Sequence, residues 1–159
     1  MNRREVWAAL RQGLAGLLSP GEIRLAPGES RRTPSSGDRG RRGERAEQAA
    51  CEHLRRQGYK ILCRDRSNAV GELDIVALEG QTVVFAEVRS RGPGASVPAR
   101  GTLTPAKRRT LARAAELFLR QHHMANRACR VDLLAVEVRA GERGLAVEHL
   151  KSIIDVHGR

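Results

Sequence analysis

The chain has 159 residues, enough for one domain with a substantial hydrophobic core and an additional tail. Its net charge of +11 is carried almost wholly by arginine, since Lys60, Lys107 and Lys151 are the only lysines, and it points to a polyanionic partner such as nucleic acid. Three cysteines without a C-x-x-C spacing argue against a disulfide framework or a zinc knuckle, and no stretch has the apolar length of a membrane span.

Arginine suits bidentate phosphate contacts, although a genome's base composition produces the same bias. Cys51, Cys63 and Cys129 read most simply as small core residues. The start, from Met1 to Leu10, resembles a signal peptide only briefly. Arg11 and Gln12 interrupt its apolar region and no small-x-small cleavage site follows, so the expected location is cytoplasmic, with no membrane partner. Nothing in the pattern sets the oligomeric state, and a homodimer is compatible with it.

In chain order, residues 3–18 have Val6, Leu10, Leu14, Leu17 and Leu18 near helical spacing, which predicts a short amphipathic helix stopped by Ser19-Pro20-Gly21. Residues 19–42 are rich in Pro, Gly, Ser and Arg and read as a disordered basic linker. The folded domain is expected over 43–159. Its first helix, 43–57, has Ala46, Ala50 and Leu54 on one stripe and ends at Gly58. Glu44 lies in the first turn of that helix, where a carboxylate complements the helix dipole; a place facing the sheet is the alternative.

A first strand is predicted from Tyr59 to Arg64, followed by a polar loop, 65–70. Then come two apolar, β-branched runs, 72–78 and 82–89, flanking Glu79-Gly80-Gln81, which is a hairpin signal. Strand alternation puts Glu72, Asp74, Val76 and Leu78 on one face of the first run. It puts Val83, Phe85, Glu87 and Arg89 on one face of the second. A two-residue turn at Glu79-Gly80 would set Glu87 opposite Glu72, and one at Gly80-Gln81 would set it opposite Asp74.

Either register leaves two carboxylates on one face, with opposed Cβ atoms about 4.5–5.5 Å apart. On a sheet with one wet face such charges would point to solvent. Here both strands are otherwise apolar on both faces, which suits a covered sheet, where paired carboxylates repel each other and resist desolvation. A divalent cation with oxygen ligands would relieve that conflict, so the pattern reads as half of a metal site.

Residues 90–101 are predicted to form a mobile loop. Thr104 then caps a helix that has Pro105 at its first position. Leu111, Ala114, Ala115, Phe118 and Leu119 form its buried stripe. Lys107, Arg108, Arg109 and Arg113, with Arg120, supply a basic face that is either solvated or phosphate-contacting. His122-His123 fall at its end, where a capping role or exposure to solvent is expected. Val131 to Val138 is a strand with Asp132 near its start, Gly141 to Gly144 turns the chain, and Leu145 to Leu150 is the last strand. The order predicts an α/β fold, a mixed β-sheet flanked by helices.

Five ordered blocks carry a family resemblance: Gly40-Arg41-Arg42-Gly43-Glu44, Gly58 to Leu62, Gly71 to Ala77, Val84 to Arg91 and Arg130-Val131-Asp132. Over residues 38–155 the chain resembles the YraN family, uncharacterised protein family 0102. That family is placed in the restriction-endonuclease-like superfamily near archaeal Holliday-junction resolvases. The resemblance implies an αβββαβ nuclease core with a PD-(D/E)xK-type site. It implies Asp74 and Glu87 as ligands of Mg²⁺ or Mn²⁺, Glu44 as a first-helix carboxylate, and Arg89 where the superfamily usually has lysine. Glu72 stands as a secondary acid. The expected activity is that of a metal-dependent nuclease acting on DNA, including branched or structured DNA. The alternatives are a noncatalytic nucleic-acid-binding module and, less favoured, a protein adaptor that uses the N-terminal helix.

Overall fold

The computed structural model describes residues 38–92, 99–138, 145–154 and 156, with side chains omitted at 38–41, 100 and 138. The predicted helix over 3–18, most of the linker, residues 93–98 of the loop and the turn at 141–144 lie outside the described residues.

Helix α1 spans Asp38–Arg56 and begins five residues before the predicted start at Gly43. Gly40 and Gly43 disfavour a helix by only about 1 kcal/mol each, too little to end one. Its end follows the sequence signal: Gly58 takes φ +85°, the Gly58 N–H donates to Arg55 O (3.0 Å) and the Tyr59 N–H to Leu54 O (3.0 Å). This is the hydrogen-bond pattern of a Schellman cap.

Strand β1 spans Lys60–Ser67, β2 Glu72–Glu79 and β3 Thr82–Arg91. A 3₁₀ turn at Ala99–Thr102 leads to α2, Pro105–Gln121, and then to β4, Cys129–Val138, and β5, Leu145–Ile154. β1 runs three residues beyond the predicted Arg64 because Arg66 and Ser67 still pair with Leu73 and Glu72. β1 is an edge strand, where polar residues are tolerated. Thr104 caps α2 as predicted, its Oγ1 accepting from the Lys107 N–H at 3.2 Å. At the far end His123 takes the left-handed position (φ +56°) and the Met124 N–H donates to Leu119 O, so the histidine pair does form the cap.

The sheet has the order β1-β2-β3-β4-β5, antiparallel except between β3 and β4. α1 covers one face: Ala46, Ala50, Cys51 and Leu54 pack with Ile75, Ala77, Val84, Ala86, Leu134 and Val136. α2 covers the other, where Leu111, Ala114, Ala115 and Phe118 meet Val76, Leu78, Val83, Phe85, Val131 and Leu133. The predicted mixed sheet flanked by helices is therefore present. The two covered faces explain why the strands are apolar on both sides.

Candidate active site

The approach to the site is fixed by a short turn. Asn68 Oδ1 accepts from the N–H groups of Val70 (3.0 Å) and Gly71 (3.1 Å), and its Nδ2 donates to Ala114 O on α2 (2.9 Å). This Asx turn ties the start of β2 to the middle of α2. Gly71 passes so close to α2 that a Cβ there would lie 2.9 Å from Thr110 Cγ2, which accounts for the glycine.

From Gly71 the chain enters β2. The register pairs Glu79 with Thr82 and Ile75 with Ala86, so the two-residue loop is Gly80-Gln81, with Gly80 at φ +56°. Continuing that register by one residue sets Asp74 opposite Glu87, the second of the two alternatives left open by the sequence. There the two strands part. Asp74 Oδ2 accepts from the Val88 N–H at 2.8 Å, so a side chain replaces the ladder bond. Strand alternation breaks at the same place: Leu73 packs in the α2-side core together with Val76, whereas Ile75 packs on the α1 side.

The gap opens a polar cavity of about 260 Å³. It is lined by Gly43, Ala46 and Glu47 of α1, by Glu72, Asp74 and Glu87, by Arg89 and Ser90, and by Lys107 of α2. Asp74 is 8% exposed and Glu87 3%. Glu87 Oε1 receives two cations, Arg89 Nη2 at 3.1 Å and Lys107 Nζ at 3.3 Å. Its Oε2 is buried without a hydrogen-bond partner. Burial, and next the charge of Asp74, push the Glu87 carboxyl up to about 7; Lys107 and Arg89 oppose this without cancelling it.

A buried carboxylate oxygen with no partner, beside a second carboxylate, fits a hard divalent cation. Asp74 and Glu87 would be its ligands, and Glu47 and Glu72 also line the cavity. No group of three or more His, Cys, Asp or Glu side chains is gathered for metal binding among the described residues. Two carboxylates suit Mg²⁺, which keeps several waters.

The other expected residues divide. Arg89 lines the cavity. Glu44 is exposed and does not; the α1 carboxylate at the cavity is Glu47, 6% exposed, with Arg64 Nη2 at 4.0 Å from its Oε2. Sequence reasoning missed Glu47, yet the signal was there. Glu47, Cys51 and Leu54 lie at i, i+4 and i+7, so Glu47 continues the apolar stripe. Of the four α2 cations, Lys107 reaches the cavity, while Arg108 turns inward, Nη1 donating to Ile153 O (3.0 Å) and Nε to Leu103 O (3.4 Å). Arg109 and Arg113 are exposed, four residues apart on one helix face.

A second polar cluster lies on the α1 side, running from Asp132, whose register partner Ala86 precedes Glu87, to Glu79 at the hairpin end of β2. Asp132 is fully buried and accepts from Arg130 Nε (2.9 Å), from the Ser152 N–H (2.9 Å) and at His149 Nε2 (2.9 Å). Burial opposes its ionisation, but His149, Arg130 and the Ser152 N–H prevail and hold its pKa below the usual range. Arg130 also bonds Glu79 (2.6 Å) and Tyr59 Oη (2.9 Å), and Lys151 bonds Glu79 (2.8 Å). Hydrogen bonds from Lys151 and Arg130 bring Glu79 down to about 2. Asp132 sits at the register shift between β4 and β5 and holds Ser152 at φ +53°. The Arg130-Val131-Asp132 block therefore acts here as a clip between strands.

With this geometry in hand, residues 46–136 match the sequence profile of the uncharacterised protein family UPF0102. A UPF0102 protein of Pseudomonas aeruginosa is 42% identical over 122 residues, covering 76% of this chain and 95% of that protein. The chain belongs to UPF0102. The same family name is carried by a relative from Moorella thermoacetica, 39% identical over 113 residues, 71% of this chain and 94% of that protein. Another comes from Alkalilimnicola ehrlichii, 42% identical over 109 residues, 67% and 83%. UPF0102 is the YraN family of the sequence resemblance. Its matched region takes in Glu47, Asp74, Glu87, Arg89 and Lys107 together. No helix among the described residues is long and apolar enough to cross a membrane.

Proposed function

We propose that this chain is a metal-dependent nuclease hydrolysing phosphodiester bonds in DNA, built on a restriction-endonuclease-like core and working in the cytoplasm. One observation carries the reading: Asp74 and Glu87 meet where β2 and β3 part, in a polar cavity, with Glu87 Oε2 buried and unpartnered. The placement of the YraN family near archaeal Holliday-junction resolvases makes branched and structured DNA the first substrates to assay.

Each residue has a task that follows from its chemistry. Asp74 is oriented in advance by the Val88 N–H. Mg²⁺ or Mn²⁺ held by Asp74 and Glu87 would supply an activated water and charge neutralisation at the phosphoryl group. A guanidinium is a poor general base, so the role left to Arg89 is to bind and orient the phosphate. Glu47 adds a carboxylate from the helix side, able to hold a water.

The test is cleavage of linear, flapped and four-way DNA with Mg²⁺ or Mn²⁺ by protein freed of contaminating nuclease. Cleavage that disappears in Asp74→Ala and Glu87→Ala, with DNA binding kept, supports the reading. If wild type and Arg89→Lys are both inert with either metal, the enzyme reading falls. A noncatalytic nucleic-acid-binding module then takes its place, favoured by Arg89 standing where lysine is usual.

A further inference from the structure

Lys107 does more than extend a basic helix face. It is the only one of the four α2 cations Lys107, Arg108, Arg109 and Arg113 that lines the cavity. Its Nζ lies 3.3 Å from Glu87 Oε1, across from Arg89 on the same oxygen. The base of the side chain is fixed, because the Lys107 N–H donates to the Thr104 cap. The tip is not: a lysine ammonium rides on a flexible four-carbon stem, and this side chain is about one-third exposed.

The local electrostatics run against this placement. The first turn of α2 has no acidic residue and carries Lys107 instead, whereas a helix N-terminus favours negative charge. Such a local conflict is expected where a side chain serves a site. Two cations crowd one carboxylate oxygen while the other has no partner. The ammonium therefore stands within a few ångströms of where a divalent cation would sit, and the two repel.

We propose that Lys107 is the resident counter-ion of this site. It neutralises Glu87 before a divalent cation binds, is displaced as that cation binds, and then engages the substrate phosphate. Metal loading and phosphate capture are thereby coupled through one side chain. The proposal rests on the nuclease reading and assigns Lys107 as a phosphate-binding residue within it.

The test reads metal and DNA binding rather than cleavage, using wild type, Lys107→Met and Lys107→Arg, each shown folded by circular dichroism. In calorimetric titration with Mn²⁺ alone, Lys107→Met should bind about tenfold more tightly than wild type, because one unit of repulsion is gone. Lys107→Arg, which keeps the charge, should match wild type. For four-way DNA, wild type should bind more tightly in Ca²⁺ than in EDTA. Lys107→Met should lose about tenfold of that gain, the worth of one charge-assisted phosphate contact. Equal or weaker Mn²⁺ binding by Lys107→Met, with Mn²⁺ uptake still abolished by Asp74→Ala, overturns this proposal and leaves the nuclease reading standing. Absence of Mn²⁺ uptake by wild type overturns both.

Discussion

Burial and the charge of Asp74 raise the Glu87 carboxyl to about 7, so the folded chain holds a proton there that the unfolded chain releases near 4.5. The sign follows from linkage. The stability contributed by this protonation is fully present below the unfolded value and is lost as pH rises through the folded one. Glu87→Gln mimics the protonated form at every pH. In metal-free buffer it should be more stable than wild type at pH 8, by on the order of 3 kcal/mol, with the difference closing toward pH 5. Urea unfolding across that range is the measurement. Adding Mg²⁺ should stabilise wild type and leave the glutamine variant unmoved. The α1 carboxylates give a second comparison. Glu47→Ala should lower cleavage at least tenfold, whereas Glu44→Ala, altering an exposed side chain outside the cavity, should change the rate by less than about twofold.

The contact between Gly71 and α2 can be tested as a pair. Gly71→Ala pushes a Cβ to 2.9 Å from Thr110 Cγ2 and should cost about 1–3 kcal/mol. Thr110→Ser deletes that methyl and keeps the hydroxyl that donates to Ala106 O. The double variant should recover most of the loss, read as a coupling energy from chemical denaturation. At this scale much could be read from the sequence. Hairpin parity alone placed Asp74 or Glu72 opposite Glu87, and Thr104-Pro105 fixed the start of α2. The choice between the two turns was not legible, since Glu79-Gly80 and Gly80-Gln81 satisfy the same local preferences. The break in alternation at Leu73 was not legible either. It arises because α2 draws Leu73 into its own core while Asp74 bonds to Val88, and both partners are distant in sequence. The resemblance implied Glu44, which stands within a family-like block, whereas the carboxylate that continues the apolar stripe of α1 is Glu47.

For the whole molecule, the +11 charge sets the expectation of strong salt dependence in DNA binding. Affinity should fall linearly on a log–log plot of salt, and Arg109→Ala with Arg113→Ala should each flatten the slope by about one unit. Arg108→Ala should instead act on stability, because its guanidinium holds the carbonyls of Ile153 and Leu103. No binding even at low salt would count against both nucleic-acid readings. One further consequence follows from the Asp132 clip. Asp132 pairs with Ala86 on β3, the residue before Glu87, so the clip abuts the strand that carries the cavity's Glu87. Asp132→Ala strips three partners from a buried carboxylate position and should cost about 3–5 kcal/mol. Because Asp132 and Glu87 stand on adjacent strands within one residue of register, its effect should not simply add to that of Glu87→Ala, and a double-mutant cycle should show a coupling of about 0.5–3 kcal/mol. The clip thus holds in place the strand on which the chemistry is mounted, so drift or engineering at one would be felt at the other.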